Sequence, residues 1–262
     1  MNRKGIAILV GILSCAVSQA QITLTHNGST VNINENTATV SDWIVGGVDH
    51  VFANSWYFRD GDTVSASLVS TISAPTITLF GSRGAEVVYT DNDLTVSITY
   101  WLATSTNGLS SDLAEQVTVD SRSGINLRLF QYNDFDMDGS FGGDTATRLN
   151  SSTIEQVDGG ASETTGGTPI PDFSEIDLWP STLTNITGTA GYNLDTAAGS
   201  GIGQTVSGDV AFAYQWNESI ADGGAFALST DKVLAVPEPA SLIALGFGAI
   251  ALLRRRKRVA AR

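Results

Sequence analysis

Between residues 21 and 235, apolar and polar side chains alternate in many short runs. One face of the run 94–102 carries Leu94, Val96, Ile98 and Tyr100, and one face of 210–216 carries Val210, Phe212, Tyr214 and Trp216. Successive side chains of an extended chain point to opposite faces, so a period of two indicates β-strands with one buried face. Further runs of this kind are 22–25, 31–33, 38–40, 56–58, 75–80, 86–90, 115–120, 125–132 and 225–228.

Turn-forming residues separate these runs. The sequence Ser-Arg-Ser-Gly at 121–124 predicts a hairpin between 115–120 and 125–132, and Asp-Gly-Gly at 222–224 predicts that the strand 210–216 turns back toward 225–228. About ten strands at this spacing predict an all-β fold, a two-sheet β-sandwich similar to a jelly roll.

Only two stretches suggest something other than strands. Residues 110–115 have the pattern of a capping box and predict at most one helical turn. Residues 158–169 are rich in Gly, Ser and Thr and predict a long loop, either disordered or a crossover. The sequence therefore predicts one domain over residues 21–235, with this loop inside it.

The first 20 residues have the pattern of a signal peptide. Arg3 and Lys4 give a basic start, residues 5–17 are apolar, and Ser18 and Ala20 are small residues at the −3 and −1 positions of a cleavage site. This pattern predicts an N-terminal signal helix over residues 1–20 that signal peptidase removes. A lipoprotein signal acylated at Cys15 is the alternative, and the bulky residue at position 13 disfavours it.

Cys15 is the only cysteine of the chain. Removal of the signal peptide leaves none, which excludes disulfides, thiol nucleophiles and cysteine-ligated zinc from the mature protein. The domain must therefore be stabilised by burial of its core.

The predicted domain is strongly acidic. Six Lys or Arg and all 27 Asp or Glu lie between Gln21 and Pro239, which gives this segment a net charge of −21. Such a charge repels the phosphates of nucleic acids and anionic lipids, so neither is expected as a partner of the domain.

The C-terminal end combines three features in a fixed order. Pro237, Glu238 and Pro239 form an extended motif, because the two prolines fix φ and lack N–H groups. Residues 240–253 are uncharged and predict a short transmembrane helix, whose apolar part rises roughly 20 Å against about 30 Å of hydrocarbon. The tail 254–262 follows, and its basic residues next to the membrane are Arg254, Arg255, Arg256, Lys257 and Arg258.

This arrangement over residues 236–262 resembles the PEP-CTERM sorting signal of bacterial exported proteins. The resemblance implies a transient stay at the inner membrane and cleavage near Pro237, Glu238 and Pro239 by an exosortase-type membrane protease. It implies that the ectodomain then passes to the cell surface or the extracellular matrix. It implies nothing about the molecular activity of residues 21–235.

One acidic stretch has the opening pattern of a calcium loop, D-x-D-x-D-G. Asp134, Asp136 and Asp138 precede Gly139, but position twelve is Thr145, and Asp144 lies one residue early. Calcium bound by Asp134, Asp136, Asp138 and Asp144 is one interpretation. The other is an ordinary strand end with its aspartates in solvent, and the sequence favours this second interpretation.

No pattern selects catalytic residues. His26 and His50 are the only histidines, and no Gly-x-Ser-x-Gly motif is present. The sequence favours His50 as a buried hydrogen-bonding residue and His26 as a loop residue. Carboxylates are plentiful, but no spacing selects a pair for glycoside hydrolysis. Aromatic residues that could stack on sugars alternate with polar ones on strands, which favours core packing: Trp43, Trp56, Tyr57, Trp101, Trp179 and Trp216.

From these observations we expect an exported, non-catalytic β-sandwich of the cell envelope or extracellular matrix, without a cofactor. A carbohydrate-binding or calcium-stabilised adhesive module, with extracellular polysaccharide as its partner, is the first alternative. A secreted hydrolase is the second.

Overall fold

The computed structural model describes residues 21–238, most of which lie in β-strands. This part of the chain contains a 3₁₀ turn at Val69–Thr71 and one α-helix, α1, at Ser181–Gly188. Its strands are β1 Gln21–His26, β2 Ser29–Asn34, β3 Thr39–Val45, β4 Val48–Asp49, β5 Ala53–Asp60, β6 Ser67–Leu68, β7 Thr76–Phe80, β8 Gly84–Thr90, β9 Leu94–Thr104, β10 Ser110–Ser121, β11 Ile125–Asp134, β12 Asp144–Asn150, β13 Thr153–Asp158, β14 Ala161–Thr168, β15 Phe173–Leu178, β16 Thr196–Ala197, β17 Thr205–Gly208, β18 Val210–Ile220 and β19 Ala225–Ala235.

The strands form two antiparallel sheets. The first sheet has the order β1-β2-β3-β5-β11-β18-β15-β16, with β4 beside β3 and β6 beside β5. The second sheet has the order β17-β12-β13-β14-β19-β10-β9-β8-β7. The predicted all-β, two-sheet sandwich is thus confirmed. The predicted signal helix and the predicted transmembrane helix lie outside the described residues.

The main core lies between the two sheets. Alternate residues of β9 from Leu94 to Leu102 are buried, as their period of two predicts. On the inner face of the first sheet, Trp216 of β18 contacts Trp56 of β5 and Tyr214 of β18, each with 6.0 Å between ring centroids. Each large side chain removed from water contributes on the order of 1.5–3 kcal/mol, so this layer is the principal source of stability.

A smaller apolar cluster covers the outward face of the first sheet. The segment that contains α1 lies across this face and places Ile186 and Leu194 on it, against Tyr57, Phe130 and Tyr132. The buried Arg59 of β5 holds the far end of this segment through hydrogen bonds to the Tyr192 carbonyl and, at 3.0 Å, to Asn193 Oδ1. The middle of the outward face is therefore closed to solvent.

Both predicted reversals of the chain connect different sheets. Residues 121–124 lead from β10 in the second sheet to β11 in the first, and 222–224 lead from β18 in the first to β19 in the second. The hairpin at 121–124 and the return of 210–216 onto 225–228 as neighbouring strands are therefore wrong. At each turn, both strands bury one face in the common core. The same turn residues can join two neighbouring strands of one sheet or two strands of different sheets.

Two further local predictions are wrong. Residues 110–115 begin β10, an inner strand whose buried positions alternate, and they form no helical turn. Residues 161–168 form β14, which pairs with β13 and β19 within the second sheet. This strand is poor in large apolar residues for a steric reason, because a Cβ on Gly167 would lie 2.9 Å from the Trp216 ring. The loop at 158–169 is thus reduced to the turn at Gly159 and Gly160 and the strand end near Pro169.

Candidate functional site

One end of the first sheet carries a pocket of about 330 Å³. Four neighbouring strands begin or end there, at Ala53 of β5, Asp134 of β11, Val210 of β18 and Leu178 of β15. The volume lies within the range of small-molecule sites, roughly 300–1,000 Å³. The pocket is lined by Phe52, Asp134, Asp136, Phe141, Trp179 and Asp209.

Three aromatic side chains form the apolar walls. Phe52, Phe141 and Trp179 leave between 44% and 76% of their surface exposed, although each is large and apolar. The rings of Phe52 and Trp179 meet edge to face, with centroids 6.4 Å apart. The Trp179 N–H donates to the Asp209 carbonyl at 2.8 Å, which fixes the start of the segment that carries α1. Exposed aromatic faces that line a concave site are suited to stacking on a ligand.

Asp134 supplies the most unusual polar group of the pocket. Its carboxyl is buried, and the Tyr132 hydroxyl donates to Asp134 Oδ2 at 2.8 Å. Burial raises the pKa of Asp134 to about 7, and the nearby charges of Asp136 and Asp209 act in the same direction, while the Tyr132 hydrogen bond opposes them. Asp134 is therefore about half protonated at neutral pH and can donate or accept a proton.

Two further carboxyls lie beside Asp134. Burial raises the pKa of Asp136, with a further contribution from the charge of Asp209. Burial also raises the pKa of Asp209. Because like charges in one site disfavour simultaneous ionisation, the charges of Asp136 and Asp209 make Asp134 harder to ionise. Such a set can pair one proton donor with one proton acceptor, which general acid–base chemistry requires.

A two-stranded wall holds these residues in place. The Phe52 N–H donates to the Asp134 carbonyl at 3.0 Å, and the Asp136 N–H donates to the His50 carbonyl at 3.1 Å. Both partners are backbone groups, so the positions of Phe52, Asp134 and Asp136 depend on the sheet and little on side-chain flexibility. Phe141 follows in the loop between β11 and β12.

The four aspartates proposed for calcium have different surroundings. Asp134 and Asp136 line the pocket, whereas Asp138 accepts hydrogen bonds from Ser140, including one of 2.9 Å from its N–H. Asp144 is buried, and burial raises its pKa to about 7. Within residues 21–238, no group of three or more His, Cys, Asp or Glu side chains is arranged to hold a metal ion. Calcium binding by these four residues stays a prediction.

Neither histidine lines the pocket. His50 is buried, and its ring nitrogens face the carbonyls of Met137 and Val45, which confirms a buried hydrogen-bonding residue. A neutral imidazole can donate to only one of these carbonyls. His26 Nδ1 accepts a hydrogen bond of 2.8 Å from the Thr104 N–H.

Most residues of the pocket were not identified from the sequence. Phe52, Phe141 and Asp209 belong to no motif, and the pattern of Trp179 favours core packing, whereas its ring is exposed. Asp134 and Asp136 were singled out through the calcium pattern, and Trp179 was one of six aromatic residues considered for stacking on sugars. The Asp-Phe-Asp run at a strand end indicated a possible acidic site. It did not indicate which residues from distant parts of the chain would line the same pocket.

The described chain reaches the first two residues of the sorting motif. Pro237 and Glu238 follow β19 after Val236, while Pro239 and the basic residues Arg254, Arg255, Arg256, Lys257 and Arg258 lie outside the described part. In residues 21–238 no helix has the length and apolar character needed to cross a membrane.

Comparison with protein families identifies the C-terminal signal. Residues 235–258 match the family model of the PEP-CTERM protein-sorting motif, which confirms the predicted signal. The motif indicates an exported protein that is sorted by an exosortase. No curated protein matches the sequence as a relative.

Several solved structures share the fold. A bacterial glucoamylase complexed with acarbose has a TM-score of 0.60 and 11% identity, and the match covers 87% of this chain and 34% of the glucoamylase. A putative aldose 1-epimerase from Escherichia coli has a TM-score of 0.55 and 8% identity, with 83% of this chain and 99% of the epimerase covered. A galactose mutarotase-like protein from Lactobacillus casei has a TM-score of 0.54 and 11% identity, with 82% and 100% covered.

These structures correct one prediction. We expected a non-catalytic sandwich, and this expectation is contradicted, because the similar structures include enzymes, an aldose 1-epimerase and a glucoamylase. The chain spans about a third of the glucoamylase and nearly the whole of the epimerase. At 8% to 11% identity, the likeness concerns the fold.

Proposed function

We propose that this exported protein binds a neutral carbohydrate in the pocket between Phe52 and Trp179 and acts on it by acid–base chemistry. The observation that carries the proposal is the combination, in one pocket of about 330 Å³, of exposed aromatic faces with the half-protonated carboxyl of Asp134. Extracellular polysaccharide at the cell surface or in the matrix is the expected source of the ligand.

The aromatic groups suit the apolar faces of a sugar ring, and the acidic groups suit its hydroxyls. The C–H faces of a sugar ring stack on aromatic rings, which Phe52, Phe141 and Trp179 present to the pocket. Sugar hydroxyls donate hydrogen bonds, and the carboxyl oxygens of Asp136 and Asp209 can accept them. The similar glucoamylase structure contains acarbose, which supports this class of ligand.

The charge of the pocket favours neutral sugars over acidic ones. Three carboxyls line the pocket, and the segment around it carries a net charge of −21. A uronic acid would add a further negative charge next to Asp134, Asp136 and Asp209, which is unfavourable in a partly buried site. We therefore expect neutral hexoses or their oligomers.

Asp134 is the proposed proton donor. In its protonated form it would donate a proton to an acetal oxygen, while an ionised Asp136 or Asp209 would accept a proton from a hydroxyl or from water. A donor and an acceptor of this kind are what reactions at an anomeric carbon require.

A binding experiment tests the site. A glycan array with the purified protein, followed by calorimetry on the best neutral sugar, should give binding that falls at least about tenfold in Trp179→Ala, equivalent to about 1.4 kcal/mol. Trp101→Ala is the matched control, because Trp101 is 41% exposed on the second sheet, away from the pocket. Equal loss in both variants, or binding of no sugar, would contradict the proposal.

An activity experiment tests the chemistry. Incubation with the bound sugar should release new reducing ends or change the ratio of anomers by NMR, and Asp134→Asn should abolish this change while sugar binding persists. Asp222→Asn, an exposed aspartate in the turn before β19, is the control and should retain activity. Full activity of Asp134→Asn would remove Asp134 from the reaction.

A further inference from the structure

The sorting motif begins without a linker at the end of an inner strand. β19 pairs with β10 and β14 up to Ala235, and the next residue, Val236, adds one more bond, from its N–H to the Leu109 carbonyl at 2.9 Å. Pro237 follows immediately. The hydrogen bonds of a central strand therefore hold the chain to the residue before the motif.

Val236 and Pro237 also contact the surface of the domain. Two glycine turns approach them closely: a Cβ on Gly46 would lie 3.5 Å from Val236 Cγ2, and a Cβ on Gly160 would lie 3.6 Å from Pro237 Cγ. Val236 packs against the main core. Together the two residues form one side of a second cavity of about 280 Å³, here called the motif groove.

The motif groove is mostly apolar and lies behind the wall of the sugar pocket. Its other sides include Val45, Val48, Leu109, Met137 and Ala161. Apolar walls suit the side chain of Val236, which is half-buried against them and so loses water, whereas Pro237 lines the groove but stays exposed.

We propose that the motif groove docks the first residues of the sorting motif and that this docking limits the sorting cleavage. A protease binds its substrate as an extended segment whose backbone groups are free to pair with the enzyme. The backbone of Val236 is bonded to Leu109, and Pro237 lies against Gly160, so the motif must leave the groove first. The rate of cleavage is then reduced by the fraction of molecules in which the motif is docked.

Chain length adds to this restriction. Ala235 ends β19, and the apolar run begins at Ala240. Four residues lie between them, so these five residue steps span at most about 17 Å between the folded domain and the predicted membrane segment. A membrane protease must reach the motif within this gap. Release of residues 236 and 237 lengthens the accessible segment.

The first experiment opens the groove from both sides in the full-length protein. Val236→Asp and Val48→Asp each place a charge in the apolar contact, and Val48 is already 38% exposed, so that variant can fold normally. Pulse labelling in cells that contain the sorting protease should show cleavage at least threefold faster for both variants. Val233→Asp is the control, because Val233 lies on β19, is 41% exposed and is not part of the groove; its rate should be unchanged.

The second experiment closes the groove reversibly. Gly46→Cys together with Val236→Cys is designed to form a disulfide, because a Cβ on Gly46 would lie 3.5 Å from Val236 Cγ2, and the mature chain has no other cysteine if residues 1–20 are removed. Gly46 has a φ of +62°, so the single variant Gly46→Cys also controls for strain at this turn. Oxidised precursor should resist cleavage and reduction should restore it, while each single variant is cleaved in both conditions. Unchanged or slower cleavage in Val48→Asp, or equal cleavage of the oxidised and reduced double variant, would overturn the proposal. Neither readout uses sugar binding, so failure here leaves the proposed function untouched.

Discussion

At the scale of single residues, Asp134 shows how the fold changes the chemistry of a common side chain. In solution its carboxyl would be ionised at neutral pH, but burial beside two other carboxyls raises its pKa to about 7. The folded protein therefore binds a proton at Asp134 that the unfolded chain has lost. The free energy of unfolding must then depend on pH.

The sign of this dependence follows from the raised pKa. Below pH 4, Asp134 is protonated in both states; as the pH rises from about 4 to about 7, only the unfolded state loses the proton, so stability falls. Asp134→Asn keeps an acceptor for the Tyr132 hydroxyl without the charge. It should match the wild type near pH 4 and be about 2 kcal/mol more stable at pH 8, at roughly 1.4 kcal/mol per pKa unit with allowance for solvent.

Denaturant unfolding between pH 4 and pH 8 measures this difference. Asp222→Asn, at an exposed turn, controls for the general effect of removing one negative charge. Burial also raises the pKa of Asp144 to about 7. The stability of the Asp134→Asn variant should therefore still fall with pH, but less steeply than that of the wild type. If the free energies of unfolding of wild type and Asp134→Asn changed with pH in parallel, the pKa of Asp134 would not be raised in the folded protein.

At the scale of elements, a buried ion pair joins the strands of the second sheet. Lys232 of β19 lies 2.8 Å from Glu115 of β10, and both side chains are inaccessible to solvent. From the first sheet, Trp56 Nε1 donates to Glu115 at 2.7 Å and Gln131 donates to it at 3.1 Å. Glu115 therefore connects the two sheets through polar bonds inside an otherwise apolar core.

A second buried carboxyl on β14 does not compete for Lys232. Burial raises the pKa of Glu163 to about 8, and the Thr165 hydroxyl donates to it. Glu163 is therefore mostly neutral at pH 7, which leaves Lys232 paired with the single charge of Glu115.

Removal of one member of this pair should be costly. Lys232→Met leaves Glu115 charged and buried without a partner, so we expect a loss of about 3–5 kcal/mol in the free energy of unfolding at pH 7. The double variant Lys232→Met with Glu115→Gln removes both charges and should recover much of this loss. Chemical denaturation of the wild type, the two single variants and the double variant measures the coupling between Lys232 and Glu115. A Lys232→Met variant within about 1 kcal/mol of wild type would contradict it.

At the scale of the whole molecule, the sugar pocket and the motif groove share one wall. His50 lines the groove while Phe52 lines the pocket, and in the facing segment Asp138 lines the groove while Asp136 lines the pocket. Both features therefore lie at the end of the sandwich at which β19 leads into the sorting motif. The sorting motif and the candidate active site are neighbours in space, although about a hundred residues separate Asp136 from Pro237 in the chain.

Processing at both ends should be visible in the mass of the exported protein. We expect loss of residues 1–20 and of the segment beyond roughly Glu238, because a predicted signal peptide and a PEP-CTERM motif flank one acidic domain. Intact-mass spectrometry of the surface or extracellular fraction measures both. Full-length protein with Arg262 in that fraction would argue strongly against cleavage.

Features that depend on neighbours along the chain were predictable from the sequence. The alternation of Leu94, Val96, Ile98 and Tyr100 indicated a strand with one buried face, because the extended backbone itself imposes a period of two. The C-terminal sorting signal was equally readable, because it is a continuous run of proline, apolar and basic residues. These local patterns were enough for the fold class and the sorting signal.

Tertiary structure alone decided which sheet each strand joined and where the pocket formed. The turns at 121–124 and 222–224 suit a hairpin or a crossover equally, so the choice came from the burial of both strands in one core. β14 escaped notice because contact with Trp216 requires Gly167, a residue that locally favours loops. Phe52, Trp179 and Asp209 meet Asp134 from separate segments, and the raised pKa of Asp134 arises from that burial, which no local pattern encodes.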